Sequence, residues 1–554
     1  MSESELPLQT GLRGLDFAAI VLYLAVTFGI AVWFSRRQGS AEDFFVGGRR
    51  IPWFAVGLSI LATLFSTLSY LGAPGEVIKN GIGFYAGYLA LPLSLLVVTR
   101  LWIPFYMRLG LTSAYEYLER RFSRRLRTLG ATLFVLLRMG WMSMVVYAAS
   151  MALDRVKGPD LEWLPGPDLY WWIGCVGIVA AVYTAVGGIQ AVIWTDVLQC
   201  GLLVLGALMV IGGVIAATGT SPVDWIRTAR SNGIHHPPLP LYSMDLTVRV
   251  TLLTAMLHNF FWTICTHGSD QVVLQRYFST PSLGAARRSY YINVATDLLM
   301  ILLLSLCGLA LLQYYRMNAG QLPSGWTLET SADKLFPTFL ATHLPVGCAG
   351  LIISAFLCDA IQTLESGANS ITAVVTTDLL RSNETSGEGT EGKKRQLGFV
   401  RQLSLWIALA VSLNAGFIAY ISQSQNLTII DMMPKFFNLF VGPLAAMFFI
   451  GMFLPRCTSR SVAIAVAVGL AVSVSWSWAR ELVAVARELF GITSESFQMP
   501  RGPTILLSIP LPCVTTFLTA ALLSLFVEDG RPHPGQAYTW RSILRDVKLP
   551  PERS

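Results

Sequence analysis

Leu61-Ala62-Thr63-Leu64-Phe65-Ser66-Thr67-Leu68-Ser69-Tyr70 sets five hydroxyl side chains in the middle of an apolar run, and Leu71-Gly72-Ala73-Pro74-Gly75 follows directly. Two readings fit this stretch. In one, the hydroxyls bond back to carbonyls of their own helix and the Gly/Pro cluster ends it. In the other, the helix unwinds locally. Its freed carbonyls then need water or a bound cation, because lipid offers them no partner.

The surroundings say that lipid is the solvent in question. Of 554 residues, 53% are hydrophobic and only 13% charged, with mean hydropathy +0.56. A soluble chain carries roughly 25% charged residues. Apolar runs long enough to cross a bilayer, about 20 residues each, recur along the whole chain. Thirteen spans are expected, at 16–35, 52–78, 83–107, 128–153, 168–187, 188–217, 247–270, 284–313, 343–380, 398–422, 427–453, 460–479 and 503–526. The chain therefore reads as an all-α integral membrane protein with no large soluble domain. The net charge of +7 does not indicate nucleic acid, since the basic residues sit in short gaps beside apolar runs. Most of the eight cysteines lie inside those runs, as Cys175, Cys307 and Cys513 do, and none has metal-ligand spacing. The acidic start, Met1 to Asp16, lacks the basic region of a cleaved leader, so the first run is expected to stay as a helix.

The gaps fix an expected orientation. Arg36, Arg37, Arg49 and Arg50 follow span one; Arg120, Arg121, Arg124, Arg125 and Arg127 follow span three. Arg276, Arg287 and Arg288 follow span seven; Lys393, Lys394 and Arg395 follow span nine; Arg456 and Arg460 follow span eleven. All fall on one side, which the positive-inside rule makes cytoplasmic. The N-terminus is then outside and the C-terminus inside, in a plasma (inner) membrane. Residues 382–394 read as a flexible cytoplasmic loop, 481–501 as an amphipathic outer segment, and 527–554 as a polar tail.

Span nine carries a second anomaly, Cys358-Asp359-Ala360-Ile361-Gln362-Thr363-Leu364-Glu365-Ser366-Gly367-Ala368-Asn369-Ser370. At about 100° per residue, Asp359, Gln362, Thr363, Glu365, Ser366, Asn369 and Ser370 fill less than half the helix circumference. Leu357, Ile361, Leu364 and Ala368 face the other way. Two carboxylates inside a span mark an ion or proton path, unless the stretch is a wet helix end. A third is Tyr183-Thr184-Ala185-Val186-Gly187-Gly188-Ile189-Gln190-Ala191-Val192-Ile193-Trp194-Thr195-Asp196-Val197-Leu198-Gln199. Here a Gly-Gly turn joins two spans, with Asp196 about two turns into the second. No nucleophile–base pair stands out, so an enzyme is not expected.

This last run resembles the signature of the sodium/solute symporter family. So do Gly47-Gly48-Arg49-Arg50-Ile51-Pro52-Trp53-Phe54-Ala55-Val56-Gly57, Asp270-Gln271-Val272-Val273-Leu274-Gln275-Arg276-Tyr277 and Asn369-Ser370-Ile371-Thr372-Ala373-Val374. Ser66 to Glu76 looks like the branch carrying monocarboxylates, iodide and vitamins. The resemblance implies a LeuT-type fold, two five-helix repeats inverted about an axis in the membrane plane. The repeats should be 52–217 and 247–453. Residues 1–51 and 454–526 are then peripheral.

The resemblance also implies a sodium site between span two and span nine, with sodium as coupling ion and no other cofactor. Its ligands would be the backbone of Ala62 and Phe65, the carbonyl of Asp359, and the side chains of Gln362 and Thr363. The Asp359 carboxylate would offset the ion's charge. The family usually has a small residue at 359 and serine at 362 and 365. A second cation or proton site would join Asp196, Glu365 and Ser366. The extra carboxylates could strengthen cation binding, admit a proton, or pair with a base such as Arg138. The solute should meet Tyr70, Trp262, Thr263, Thr266, His267 and Asn438. His267 has the simpler reading of a histidine bonded within the bundle. Lys435 either snorkels to the outer interface or, facing the pathway, favours an anionic solute. Partners are then sodium, a small solute and lipid. The alternatives are a proton-coupled or uncoupled carrier on the same fold, and a membrane sensor or partner-binding subunit that does not transport.

Overall fold

A computed structural model describes residues 14–36, 46–65, 67–111, 113–156, 167–186, 189–231, 239–322, 325–328, 331–345, 347–379, 390–425, 429–489, 503–526 and 534–546. Ser66, Gly187, Gly188 and the segment 382–389 lie outside the described residues. Each apolar stretch of the sequence falls on helix, the form in which a single segment satisfies its own backbone in lipid. The first half runs α1 (Gly14–Ser35), α2 (Trp53–Leu64), α3 (Thr67–Asn80), α4 (Ile82–Leu109), α5 (Glu116–Arg121), α6 (Arg124–Val156), α7 (Asp168–Val186), α8 (Ile189–Thr218) and α9 (Pro222–Ser231). The second runs α10 (Leu252–Ser269), α11 (Gln271–Phe278), α12 (Leu283–Met317), α13 (Ala332–His343), α14 (Cys348–Val374), α15 (Thr390–Gln425), α16 (Ile429–Phe436), α17 (Asn438–Phe453), α18 (Ser459–Ser477), α19 (Ala479–Leu489), α20 (Pro510–Phe526) and α21 (Trp540–Asp546).

Among the described residues, nine helices are long and apolar enough to cross a bilayer, and the pair α2–α3, bent by 59°, makes a tenth. The other three expected spans fall on helices that are short or less apolar: α7, α10, and α16 with α17, a run interrupted at Phe437. Two extramembrane expectations change. The segment 382–394 is not loop throughout, because α15 already begins at Thr390. Of 481–501, the first part belongs to α19, and 490–501 lies outside the described residues.

α14 is the centre of the bundle. It packs against α1, α6, α7, α8 and α15 and is buried along nearly its whole length. The apolar face read from its sequence therefore meets helices, and the polar arc meets other helices too, so neither face is wet. α2 lies against α8 and α12, whereas α3 lies against α12 and α13. α18 and α20 pack on each other and on α17, outside this core.

The basic end of the bundle is tied by specific bonds. Arg127 pairs with Asp378, in the turn that closes α14, and with Glu119 at 2.6 Å. Arg121, expected in a loop, is buried and caps α17 by donating to the carbonyls of Gly451, Leu454 and Pro455. The tail docks here as well. Arg108 of α4 donates to the Leu544 carbonyl at 2.7 Å, and Tyr117 of α5 to the Tyr538 carbonyl at 3.2 Å.

Candidate functional site: a broken helix beside a buried cavity

Both readings of the opening stretch hold in part. Thr63 does bond back to its own helix, donating to the Ser59 carbonyl at 2.8 Å. The helix nevertheless stops at Leu64: Phe65 leaves the helical region (φ −104°, ψ 72°), and α3 starts afresh at Thr67. Ala62 and Phe65, the expected backbone ligands, thus sit at the break, both buried.

A cavity of about 170 Å³ opens beside this break. Leu61, Leu64, Phe65 and Leu68 form one wall and α10 another, through His258, Asn259, Trp262, Thr263, Thr266 and His267. α12 contributes Tyr290, Asn293 and Asp297, while Phe437 and Asn438 close the far side at the second helix interruption. The cavity thus gathers five expected solute contacts: Trp262, Thr263, Thr266, His267 and Asn438. His267 also satisfies its simpler reading, with Nδ1 2.7 Å from the Tyr277 hydroxyl.

Tyr70 does not join them. Its hydroxyl donates to the Leu203 carbonyl of α8 at 2.6 Å, and its ring packs edge-on against Phe336 and Phe356. The break resets the helical phase, so Ser69, Gly72 and Ala73 face the cavity instead. Lys435 is also excluded, because it pairs with Glu481 and lies 4.8 Å from the Trp478 ring.

The arc on α14 separates into directions. The Thr363 hydroxyl makes no hydrogen bond among the described residues, unlike Thr63, Thr195 and Thr263, which bond back to their own helices. Asp359 turns its carboxylate to α8, where Gln199 donates to Oδ1 at 2.7 Å. Gln362 lines a cleft with Thr27, Ile178 and Tyr183, between α1 and α7, and neither end of its amide has a hydrogen-bond partner among the described residues. The three do not converge on one point. About 100° separates Gln362 from Thr363 on a helix, which turns one of them away from wherever the other points.

Asp196, Glu365 and Ser366 also differ from expectation. Arg276 of α11, read as a loop cation, is fully buried. It donates to Asp196 Oδ2 at 3.2 Å, to Ser366 at 3.0 Å and to Ser59 at 2.7 Å, and Ser59 donates to the same Asp196 oxygen at 2.5 Å. A guanidinium, rather than Glu365, thus bridges Asp196 to Ser366. Glu365 lies within electrostatic reach of Tyr183 on α7. Arg138 does not serve the α14 carboxylates, since it pairs with Asp270 through Nε and Nη2, one to each carboxylate oxygen. The signal for Arg276 was its place six residues after Asp270, inside a motif rather than a loop.

The sequence pattern of the sodium:solute symporter family matches residues 44–469. The chain belongs to this family. The sodium:solute symporter is 30% identical over 448 residues to the sodium/sialic acid symporter SiaT of Proteus mirabilis, covering 81% of this chain and 86% of that one. It is 29% identical over 454 residues to the human sodium/iodide cotransporter, covering 81% and 67%. Its structure resembles that of a Na+-coupled sialic acid symporter in a substrate-bound outward-open state, with TM-score 0.73 and 25% identity, covering 93% of this chain and 99% of that one. The symporter is accordingly a multi-pass membrane protein of LeuT-type fold that couples sodium to a small solute, and it is a transporter, not an enzyme.

Proposed function

We propose that this symporter binds sodium between the break after Leu64 and Thr363 of α14, and carries its solute in the adjoining cavity by alternating access. The observation that supports this most is the Thr363 hydroxyl, on a buried residue and without a hydrogen bond among the described residues, on the helix that packs against both halves of the broken span. A sodium ion there takes backbone oxygens of Ala62 and Phe65, the Asp359 carbonyl and the Thr363 hydroxyl. Sodium then holds α2 and α3 against α14 and raises solute affinity, an effect that linkage makes mutual.

The second position reads as filled by the protein's own charge. With Arg276 between Asp196 and Ser366, one sodium per cycle is the reading we adopt. The repeats are assigned to 52–217 and 247–453, and the chain is placed in the plasma membrane with its N-terminus outside. The test is uptake of a solute panel by proteoliposomes, with sodium and pH gradients imposed separately. Sodium-driven accumulation with a Hill coefficient near 1 is expected. Accumulation driven by a proton gradient without sodium, or a coefficient approaching 2, would count against this reading.

A further inference from the structure

The charge on the cavity wall is one-sided. Among the described residues no lysine or arginine lines it, and its one carboxylate is Asp297, on α12. Tyr88 donates to Asp297 Oδ1 at 3.1 Å, and Oδ2 takes no hydrogen bond among the described residues. The nearby hydroxyls, those of Tyr85, Tyr88 and Tyr290, are uncharged donors.

The neutral polar groups are of both kinds. Among the described residues Asn259 Oδ1 and Asn438 Oδ1 are buried acceptors without donors, and Trp141 Nε1 and the Tyr290 hydroxyl are buried without partners. His258 holds its Nδ1 3.0 Å from the Leu506 carbonyl. A carbonyl only accepts, so the proton sits on Nδ1 and Nε2 is left as another acceptor. Two guanidiniums stand near the wall without lining it: Arg138, behind Trp141 and Trp262, whose rings stack at 5.7 Å, is committed to Asp270, and Arg249, within electrostatic reach of Tyr85, is paired with Glu76. A carboxylate solute entering here would give up its hydration for a negative wall without a cation. An ammonium would exchange water for a carboxylate, amide oxygens and the aromatic rings of the lining, which attract cations.

We propose that the solute is a small organic cation, a protonated amine on an apolar body, and that Asp297 receives its ammonium. This rests on the cavity being the solute site. The test places a cysteine in the cavity, Ser69→Cys, in the full-length protein in proteoliposomes, with the unsubstituted chain as background. Trimethylammonium-ethyl and sulfonatoethyl methanethiosulfonates are compared, each rate divided by that with a free thiol. The cationic reagent should react at least tenfold faster, and adding Asp297→Asn should bring the ratio close to 1. A ratio near 1 in Ser69→Cys, or one that Asp297→Asn leaves unchanged, overturns the proposal. In a second arm, 2-phenylethylammonium should protect Cys at 69 better than phenylacetate does; equal or reversed protection also overturns it. Sodium is replaced by potassium in parallel. A charge preference that survives with protection indifferent to sodium would sink the coupling reading and leave this one standing.

Discussion

Thr363 and Arg276 show how far one residue's role can be read from its neighbours in sequence. Hydroxyls in an apolar run signal either back-bonding or a ligand, and only the partners decide. Thr63 took the first role, whereas Thr363 is free for the second. Thr363→Ala should weaken sodium activation by about 1–2 kcal/mol, on the order of tenfold, with expression unchanged. Asp359→Asn should change it less, because the carboxylate is turned to Gln199 and the expected ligand is its carbonyl. Sodium titration of uptake, normalised to protein, checks the order of the two. Arg276 was misread because an arginine after an apolar run is ordinarily an orientation signal. What reclassifies it is a partner eighty residues away, Asp196, which no local pattern discloses. Removing one member of a buried pair leaves the other charge uncompensated and costs about 3–5 kcal/mol. Arg276→Gln should therefore lower the thermal midpoint of the purified protein strongly, and Asp196→Asn added to it should restore part of the loss. Strict additivity of the two substitutions would show that they do not act as a pair.

At the scale of elements, the break in the second span was legible and its consequence for Tyr70 was not. Hydroxyls followed by Gly and Pro mark a weak helix, but the restart point sets which side chains face inward. A shift of one residue turns a side chain by about 100°. That is why Ser69 and not Tyr70 reaches the cavity. The same limit applied to α14, where a shared arc in sequence became separate directions once helices packed on every side. Close approach of elements is more specific. A Cβ on Gly87 of α4 would run into the Ala255 carbonyl of α10, a backbone atom with little room to yield. Gly87→Val should push the two helices apart at the cavity rim, cost about 1–3 kcal/mol and lower the thermal midpoint. A variant with wild-type stability and uptake would mean that this contact is slack.

For the whole molecule, composition and span spacing carried the reading furthest, because lipid imposes one rule on every segment. The count is harder to read where a span carries polar side chains, as α10 does, or is interrupted, as in α16–α17. Orientation gives a direct prediction: tags at the N-terminus should be reached by impermeant reagents from outside, and tags at 385 or 545 only after permeabilisation. Finding 385 outside would break the span assignment and the site built on it. The Asp196–Arg276 pair carries a consequence of a different kind. A membrane potential does work on net charge, about 2.3 kcal/mol per elementary charge per 100 mV crossed. Two opposite charges locked together travel through that field as one neutral body, so this part of the core adds nothing to the voltage sensitivity of the returning empty carrier. Any current that accompanies that return reports on charges elsewhere. Neutralising Arg276 alone would convert a silent pair into a voltage-sensing anion.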